Sequence, residues 1–273
     1  MKFGIISIGS GNSAGEREVA ETVHHGLLSL GHDCVLTKRW LADRRLILFG
    51  AISIPLLGVM PPAGTLLYNL EHVFHGSSFI TPTTLSIFRQ YPMLDFSRLN
   101  IERLVRMGVP APRWLPIGYV PELTRVQPAP EEDIDVLFYG AVDDRRSAVL
   151  DALRARGLHV ETLLGMYGRA RDAFIARSKV VLNMHYGSGF IFESVRVSYL
   201  LANRKAVVSE RGDGYEDFAD AVAFAEYDEL ADRCAALVRD DESRKKLAQR
   251  GFAVMSGRSE GAYLKTALAD LIA

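Results

Sequence analysis

The 273 residues are enough for one large domain or two of ordinary size, and 48% hydrophobic with 24% charged residues excludes wholesale disorder. A net charge of −1 offers no general attraction to nucleic acid or to an anionic membrane, so no nucleic-acid partner is expected. Cys34 and Cys234 lie far apart and outside any CxxC spacing, which argues against a disulfide framework or structural zinc and fits a reducing, cytoplasmic setting.

Lys2–Ile8 reads as a first strand; one lysine, a short apolar run and no cleavage site separate it from a signal peptide. The small-residue turn Gly9–Gly15, with Gly11 in its middle, would let a ligand approach the start of the helix Glu16–Leu30, which closes at Gly31. Its GSGNSAG pattern sets the third glycine one place too late for GxGxxG, and the second strand, Asp33–Thr37, ends at Lys38 and Arg39 instead of an acid. A nicotinamide site would therefore lack its ribose carboxylate, although the basic pair keeps an NADP-dependent oxidoreductase as an alternative. The absence of GxxxxGK[ST] excludes a P-loop nucleotidase.

From Leu46 to Leu70 no residue is charged, a length that can cross a bilayer. Pro55, Pro61, Pro62, Gly50, Gly58 and Gly64 instead break the run into two buried strands, Leu46–Ala51 and Thr65–Leu70, joined by a proline-rich loop. No membrane span is expected, while peripheral contact stays open. Glu71 and His72 follow the second of these strands, in YNLEH, where a Glu or His projecting from a strand end can serve as a general base. A hydrogen-bonded histidine on a capped strand end is the alternative. Pro92–Phe96 is a short strand, Ser97 can cap a helix over Arg98–Met107 that stops at Gly108, and Arg113–Tyr119 is extended.

Residues 121–134 carry three prolines and a run of acids, the composition of a linker, which divides the chain into domains 1–125 and 126–273. A new rhythm follows: strand Asp135–Tyr139, helix Arg145–Arg156, strand His159–Leu164, helix Arg169–Arg177, strand Lys179–Met184, helix 190–202, strand 205–209 and a short strand near Ala221–Ala225. Helices over 227–239, 241–255 and 259–272 close the chain, the last packing back on the first domain. Strands alternating with helices mean parallel sheets covered on both faces. The fold class is α/β: two doubly wound, Rossmann-like domains facing a cleft, with ligands beyond the carboxyl ends of the strands.

Three clusters stand at such ends. After Tyr139 comes Gly140, with Arg145 and Arg146 at the start of the next helix, where basic residues oppose the helix dipole unless an anion binds; a solvated helix start capped by Asp143 and Asp144 is the alternative. His185 and Tyr186 end another strand beside Gly187 and Gly189. Glu193 and Arg196, at i and i+3 with Val197 and Leu200, suit a ligand with hydroxyls and phosphates, or form a pair on an exposed turn. No histidine spacing resembles a metal site.

DVLFYGAVDDRR, FIFESVRVSYLLANRKAVVSE and DESRKKLAQRGFAV, with YNLEH, LDFSRLNIERL and LPIGYVPEL in the first half, resemble the two-Rossmann-domain glycosyltransferases called GT-B, specifically the bacterial CgeB-like group. That resemblance implies a metal-independent enzyme without cofactor, moving a sugar from a nucleotide-diphosphate-sugar donor to a glycan, a lipid-linked precursor or a protein. Arg145, Arg146 and Arg196 would contact the diphosphate and Glu193 would accept the nucleotide or sugar hydroxyls. The family's paired-glutamate motif is absent, because position 185 is histidine, and the retaining or inverting course stays open. A non-catalytic nucleotide-binding or partner protein on the same fold is the alternative.

Overall fold

A computed structural model describes residues 1–8, 15–74, 76–186 and 191–272. The chain divides into two compact units, Met1–Val120 with Arg258–Ala273, and Pro121–Gly257. The first opens with β1 (Lys2–Ser7), α1 (Arg17–Ser29), β2 (Asp33–Leu36) and β3 (Arg45–Phe49). A 3-10 turn at Ala51–Ser53 leads into α2 (Ile54–Leu57), followed by β4 (Leu66–Asn69), α3 (Pro82–Phe88), β5 (Met93–Asp95), α4 (Arg98–Arg106) and β6 (Arg113–Trp114). The second unit runs β7 (Ile134–Tyr139), α5 (Asp144–Ala155), β8 (Val160–Leu163), α6 (Gly168–Arg177), β9 (Ser178–Asn183), α7 (Ser194–Ala202), β10 (Ala206–Glu210), β11 (Ala223–Ala225), α8 (Leu230–Arg239) and α9 (Asp241–Ser256). The chain then returns to the first unit with α10 (Glu260–Ala267) and α11 (Ala269–Ile272).

Both sheets are wholly parallel, ordered β2-β1-β3-β4-β5-β6 and β11-β10-β9-β7-β8. In the first sheet Phe3 pairs with Cys34 on one side and Arg45 on the other, so the direction of winding reverses between β1 and β3. The corresponding reversal in the second sheet falls between β7 and β9. Central strands covered on both faces explain the charge-free stretch from Leu46: Leu46–Phe49 and Leu66–Tyr68 are buried. Among the described residues no helix is long and apolar enough to cross a membrane.

One helix, α2, interrupts the stretch expected as a proline-rich loop, and another, α3, lies between His72 and Pro92, where no element is expected. Pro55 lies in the first turn of α2, where a missing N–H costs nothing, and Gly58 at φ +68° ends it. α3 starts behind Thr81, whose hydroxyl accepts from the Thr84 N–H at 3.1 Å. At seven residues, with two threonines, α3 carries too little helical periodicity to stand out in sequence.

The joint expected at 125/126 falls at 120/121, because the intervening residues are claimed by the second unit. Leu123 is buried, Thr124 Oγ1 donates to the Ala202 carbonyl at 3.0 Å, and the N–H groups of Arg125 and Val126 both donate to Asn203 Oδ1 at 2.8 Å. The returning segment is fastened by close backbone approach. Tyr119 N–H donates to Arg258 O at 2.6 Å, Gly118 N–H donates to Glu260 Oε2 at 2.7 Å, and α10 packs on α1 across Gly26 and Gly261.

Candidate functional site

In parallel sheets the crevice at the reversal of strand order is the natural ligand position. In the second unit that reversal presents Tyr139-Gly140 at the end of β7 and Asn183 at the end of β9. Arg196, in the first turns of α7, points back to both. Its Nη1 donates to Asn183 Oδ1 at 2.8 Å, its guanidinium carbon is 5.2 Å from the Tyr139 ring centre, and its Nη2 lies 3.2 Å from where a side chain on Gly140 would begin. Gly140 adopts φ +136°, a conformation that favours glycine, so the strand can turn under the guanidinium. Val197 and Leu200, next to Arg196 on α7, are buried in the core and fix the helix that carries it.

Glu193 is the N-terminal flanking residue of α7, at the positive end of the helix dipole. Arg146 is buried beside this group, and burial together with the like charge of Arg196 pushes its guanidinium below the usual range. The carboxylates of Glu193 and Asp143 oppose that shift. The two guanidinium groups, Arg146 near the start of α5 and Arg196 near the start of α7, repel one another, and an anion placed between them would relieve that repulsion.

The remaining sequence-derived candidates have definite places. Arg146 donates from Nε to the His185 carbonyl at 3.0 Å, from Nη1 to the Ala141 carbonyl at 2.7 Å, and from Nη2 to the Met184 carbonyl, so it pins the β7 and β9 exits together. Arg145 is held by Glu210 at the end of β10, Nη1 to Oε2 at 2.8 Å and Nη2 to Oε1, with its guanidinium carbon 4.0 Å from the Tyr227 ring centre. Asp143 caps α5, its Oδ1 accepting from the Arg146 N–H at 2.8 Å. His185 is buried, with its N–H donating to Glu210 Oε2 at 3.1 Å and Nε2 donating to the Arg211 carbonyl at 3.1 Å. Tyr186 is exposed, its ring centre 5.1 Å from the Arg146 guanidinium carbon. Gly11 lies outside the described residues.

The first unit carries a pocket of about 470 Å³ at its own reversal point, where Ile8 follows β1, Gly50 follows β3, and Glu71 follows β4. Glu16, just before α1, lines it together with Glu71. Ser7 Oγ donates to Glu16 Oε2 at 3.0 Å, yet burial, assisted by the Glu71 charge, pushes the Glu16 carboxyl up to about 7. Gly50, at φ +73°, admits the Ile8 carbonyl so closely that a methyl group would collide with it at 1.8 Å. His72 packs beside Phe96, ring centres 6.1 Å apart.

Glu71 is placed by a buried polar bracket. Asn69 Nδ2 donates to Asp95 Oδ2 at 2.7 Å and to the Glu71 carbonyl at 3.0 Å, while Asn100 Nδ2 donates to Asp95 Oδ1 at 3.0 Å and to the same carbonyl at 2.9 Å. Asn100 Oδ1 accepts from the Val73 N–H at 2.8 Å. The YNLEH and LDFSRLN stretches are thus two halves of one support. Burial lifts Asp95 to about 7 despite those bonds. Sequence reasoning did not single out Glu16, Asn183 or the Asp95–Asn100 pair. The available signal was position: each stands at a strand exit or a helix entry.

No protein-family model matches the chain. In sequence it is similar to two proteins of Acanthamoeba polyphaga mimivirus named as uncharacterized: L137, 29% identical over 149 residues that make up 50% of this chain and 20% of that protein, and L140, 27% identical over 166 residues, 55% and 53%. The matches thus span about half the length of L140 and a fifth of L137. In structure it resembles HepE from Anabaena in complex with UDP, at 11% identity, TM-score 0.63 and coverage of 100% and 99% of the two chains. It also resembles an alpha-glucosyltransferase in complex with UDP, at 9% identity, TM-score 0.65 and the same coverage. Sucrose-phosphate synthase from Thermosynechococcus elongatus matches at 12% identity and TM-score 0.65, covering 100% and 98%. At such identities the likeness establishes the fold, the two-domain Rossmann-like architecture of GT-B glycosyltransferases.

Proposed function

We propose that this chain is a metal-independent glycosyltransferase that uses a nucleotide-diphosphate sugar and belongs with the CgeB-like group of that fold. The observation that carries the reading is Arg196 set over Gly140 at the reversal of the second sheet, with Glu193 at the start of the same helix. The UDP bound by HepE and by the alpha-glucosyltransferase, both built on this fold, supports a nucleoside diphosphate as the ligand.

In the proposed step the bond between the anomeric carbon and the diphosphate oxygen breaks while an acceptor hydroxyl oxygen bonds to that carbon. The diphosphate departs with the electron pair. Arg196, with Arg146 behind it and the α7 dipole, stabilises the growing negative charge, a role in which fixed donors outperform water. Glu193 accepts hydroxyls of the donor, which fixes the sugar or ribose against rotation. For an inverting course Glu71 or His72 takes the acceptor proton. No cofactor is invoked.

The test is calorimetric titration with UDP, GDP, CDP and TDP, with NADPH alongside, followed by release of diphosphate from the matching sugar nucleotide. Binding of one diphosphate that weakens in Arg196→Ala and Glu193→Ala supports the reading. Binding of NADPH alone would overturn it. Diphosphate binding without turnover of any sugar nucleotide would point to the non-catalytic protein on the same fold.

A further inference from the structure

Guanidinium groups and tyrosine rings alternate from the crevice of the second unit back to the segment that enters it. Tyr139, at the end of β7, has two cations within reach of its ring: the Arg196 guanidinium carbon is 5.2 Å from the ring centre and that of Arg171, on α6, is 5.4 Å away. Arg171 also lies 4.8 Å from the ring centre of Tyr199, which follows Arg196 by three residues on α7. Asp172 fixes this arrangement, its Oδ1 accepting from Arg171 Nη2 at 2.9 Å and its Oδ2 from the Tyr199 hydroxyl at 2.8 Å. That hydroxyl in turn accepts from Arg125 Nε at 3.1 Å. Arg171 is 5% and Asp172 9% exposed, so the pair is held away from water. A buried ion pair seldom stabilises a fold more than well-packed apolar side chains would. What distinguishes this cation is the ring it shares with Arg196.

We infer that Arg171 is a positioning residue for the crevice: held by Asp172, it fixes the Tyr139 ring, and the ring fixes where the Arg196 guanidinium stands. That Arg196 meets a diphosphate rests on the glycosyl-transfer reading; that Arg171 places Arg196 does not. Arg171 is anchored by a carboxylate on its own helix, so the ring is held from α6, while Arg196, donating to the Asn183 side chain, meets the ring from α7. Tyr199 completes the seat of Arg171. Because Arg171 acts through the ring, its effect on ligand affinity disappears once Arg196 is removed.

The full chain, titrated calorimetrically with whichever of UDP, GDP, CDP and TDP binds it, provides the test. Arg171→Met, which keeps a long unbranched side chain, is expected to weaken the diphosphate about tenfold in the wild-type background and less than about twofold in an Arg196→Ala background. Nitrogen–proton correlation NMR of the arginine Nε–H groups gives a readout without ligand: the signal that Arg196→Ala removes should shift in Arg171→Met. Tyr139→Leu should reproduce both effects and Tyr139→Phe, which keeps the ring, should restore both; this pair decides the matter if Arg171→Met does not fold. Unchanged affinity in the folded variants, an equal loss with and without Arg196, or an unmoved Arg196 signal would each overturn the inference. So would Tyr139→Phe behaving like Tyr139→Leu. The NMR signal keeps the two readings apart. If it shifts while no nucleoside diphosphate binds the wild type, the transferase reading fails and the positioning stands. If a diphosphate binds and its sugar nucleotide turns over while Arg171→Met changes nothing, only the positioning fails.

Discussion

Arg145 and Glu210 form a two-pronged ion pair across the top of the second sheet, with the Glu210 carboxylate also accepting the His185 N–H. Of two adjacent arginines at the start of α5, this one is committed to β10. Glu210 is buried, so removing its partner leaves a carboxylate that burial penalises. Arg145→Ala is expected to lower stability by about 1.5–3 kcal/mol, read by urea denaturation. Nucleoside diphosphate affinity should change little. A selective loss of affinity at unchanged stability would return Arg145 to the ligand site.

Arg196 is the guanidinium that the reversal point presents. Arg196→Ala should weaken nucleoside diphosphate binding by about 1.5–3 kcal/mol, roughly ten- to a hundredfold, with a smaller effect on the unfolding midpoint. Gly140→Ala tests the same geometry from beneath, because its methyl group would stand 3.2 Å from Nη2 at a φ of +136°. The variant should be destabilised by about 1–3 kcal/mol and bind diphosphate as poorly as Arg196→Ala. Wild-type affinity in Gly140→Ala would show that Arg196 acts elsewhere.

Two buried carboxyl groups, Asp95 and Glu260, and the half-buried Glu16 make stability depend on pH in one direction. Burial lifts Glu16 and Asp95 to about 7 and Glu260 to about 8. In the unfolded chain such groups titrate near about 4. Between that value and 7 to 8 the folded protein holds protons that the unfolded chain has released, so stability is fully present below about pH 4 and falls as pH rises through 7 and 8. Unfolding free energy measured from pH 5 to 9 should decline. Glu260→Gln, which keeps an oxygen for the Gly118 N–H, should flatten the upper part of that decline. A flat wild-type profile would disprove the assignment of these acids as raised by the fold.

The return of the chain to its first unit depends on Gly118. A methyl group there would meet Arg258 O, Glu260 N and Glu260 Cα, each at 2.7 Å, and all three are backbone atoms that cannot swing aside. Gly118→Ala should destabilise the protein by about 1–3 kcal/mol or more. Gly4→Ala, whose nearest contact is the Leu46 methyl at 3.0 Å, is the milder control. Equal costs for the two would show that side-chain crowding, not backbone approach, governs both positions.

Much of the architecture is legible in the chain itself, because strand and helix periods record which local face is buried. The parallel strands of both units, the Ser97 cap on α4 and the glycine that ends α1 follow from such local patterns. The pairing of Glu193 and Arg196 at one end of α7 is legible for the same reason. Tertiary structure alone decided what each arginine of α5 holds, since Arg145 and Arg146 are neighbours whose partners, Glu210 and the carbonyls of Ala141, Met184 and His185, come from other segments of the unit. It also brought Glu16 beside Glu71 and joined Asn69 to Asp95 and Asn100, because parallel strands adjacent in a sheet are separated in sequence by whole crossovers. Local periodicity says that a residue is buried; the register of the sheet decides what it is buried against.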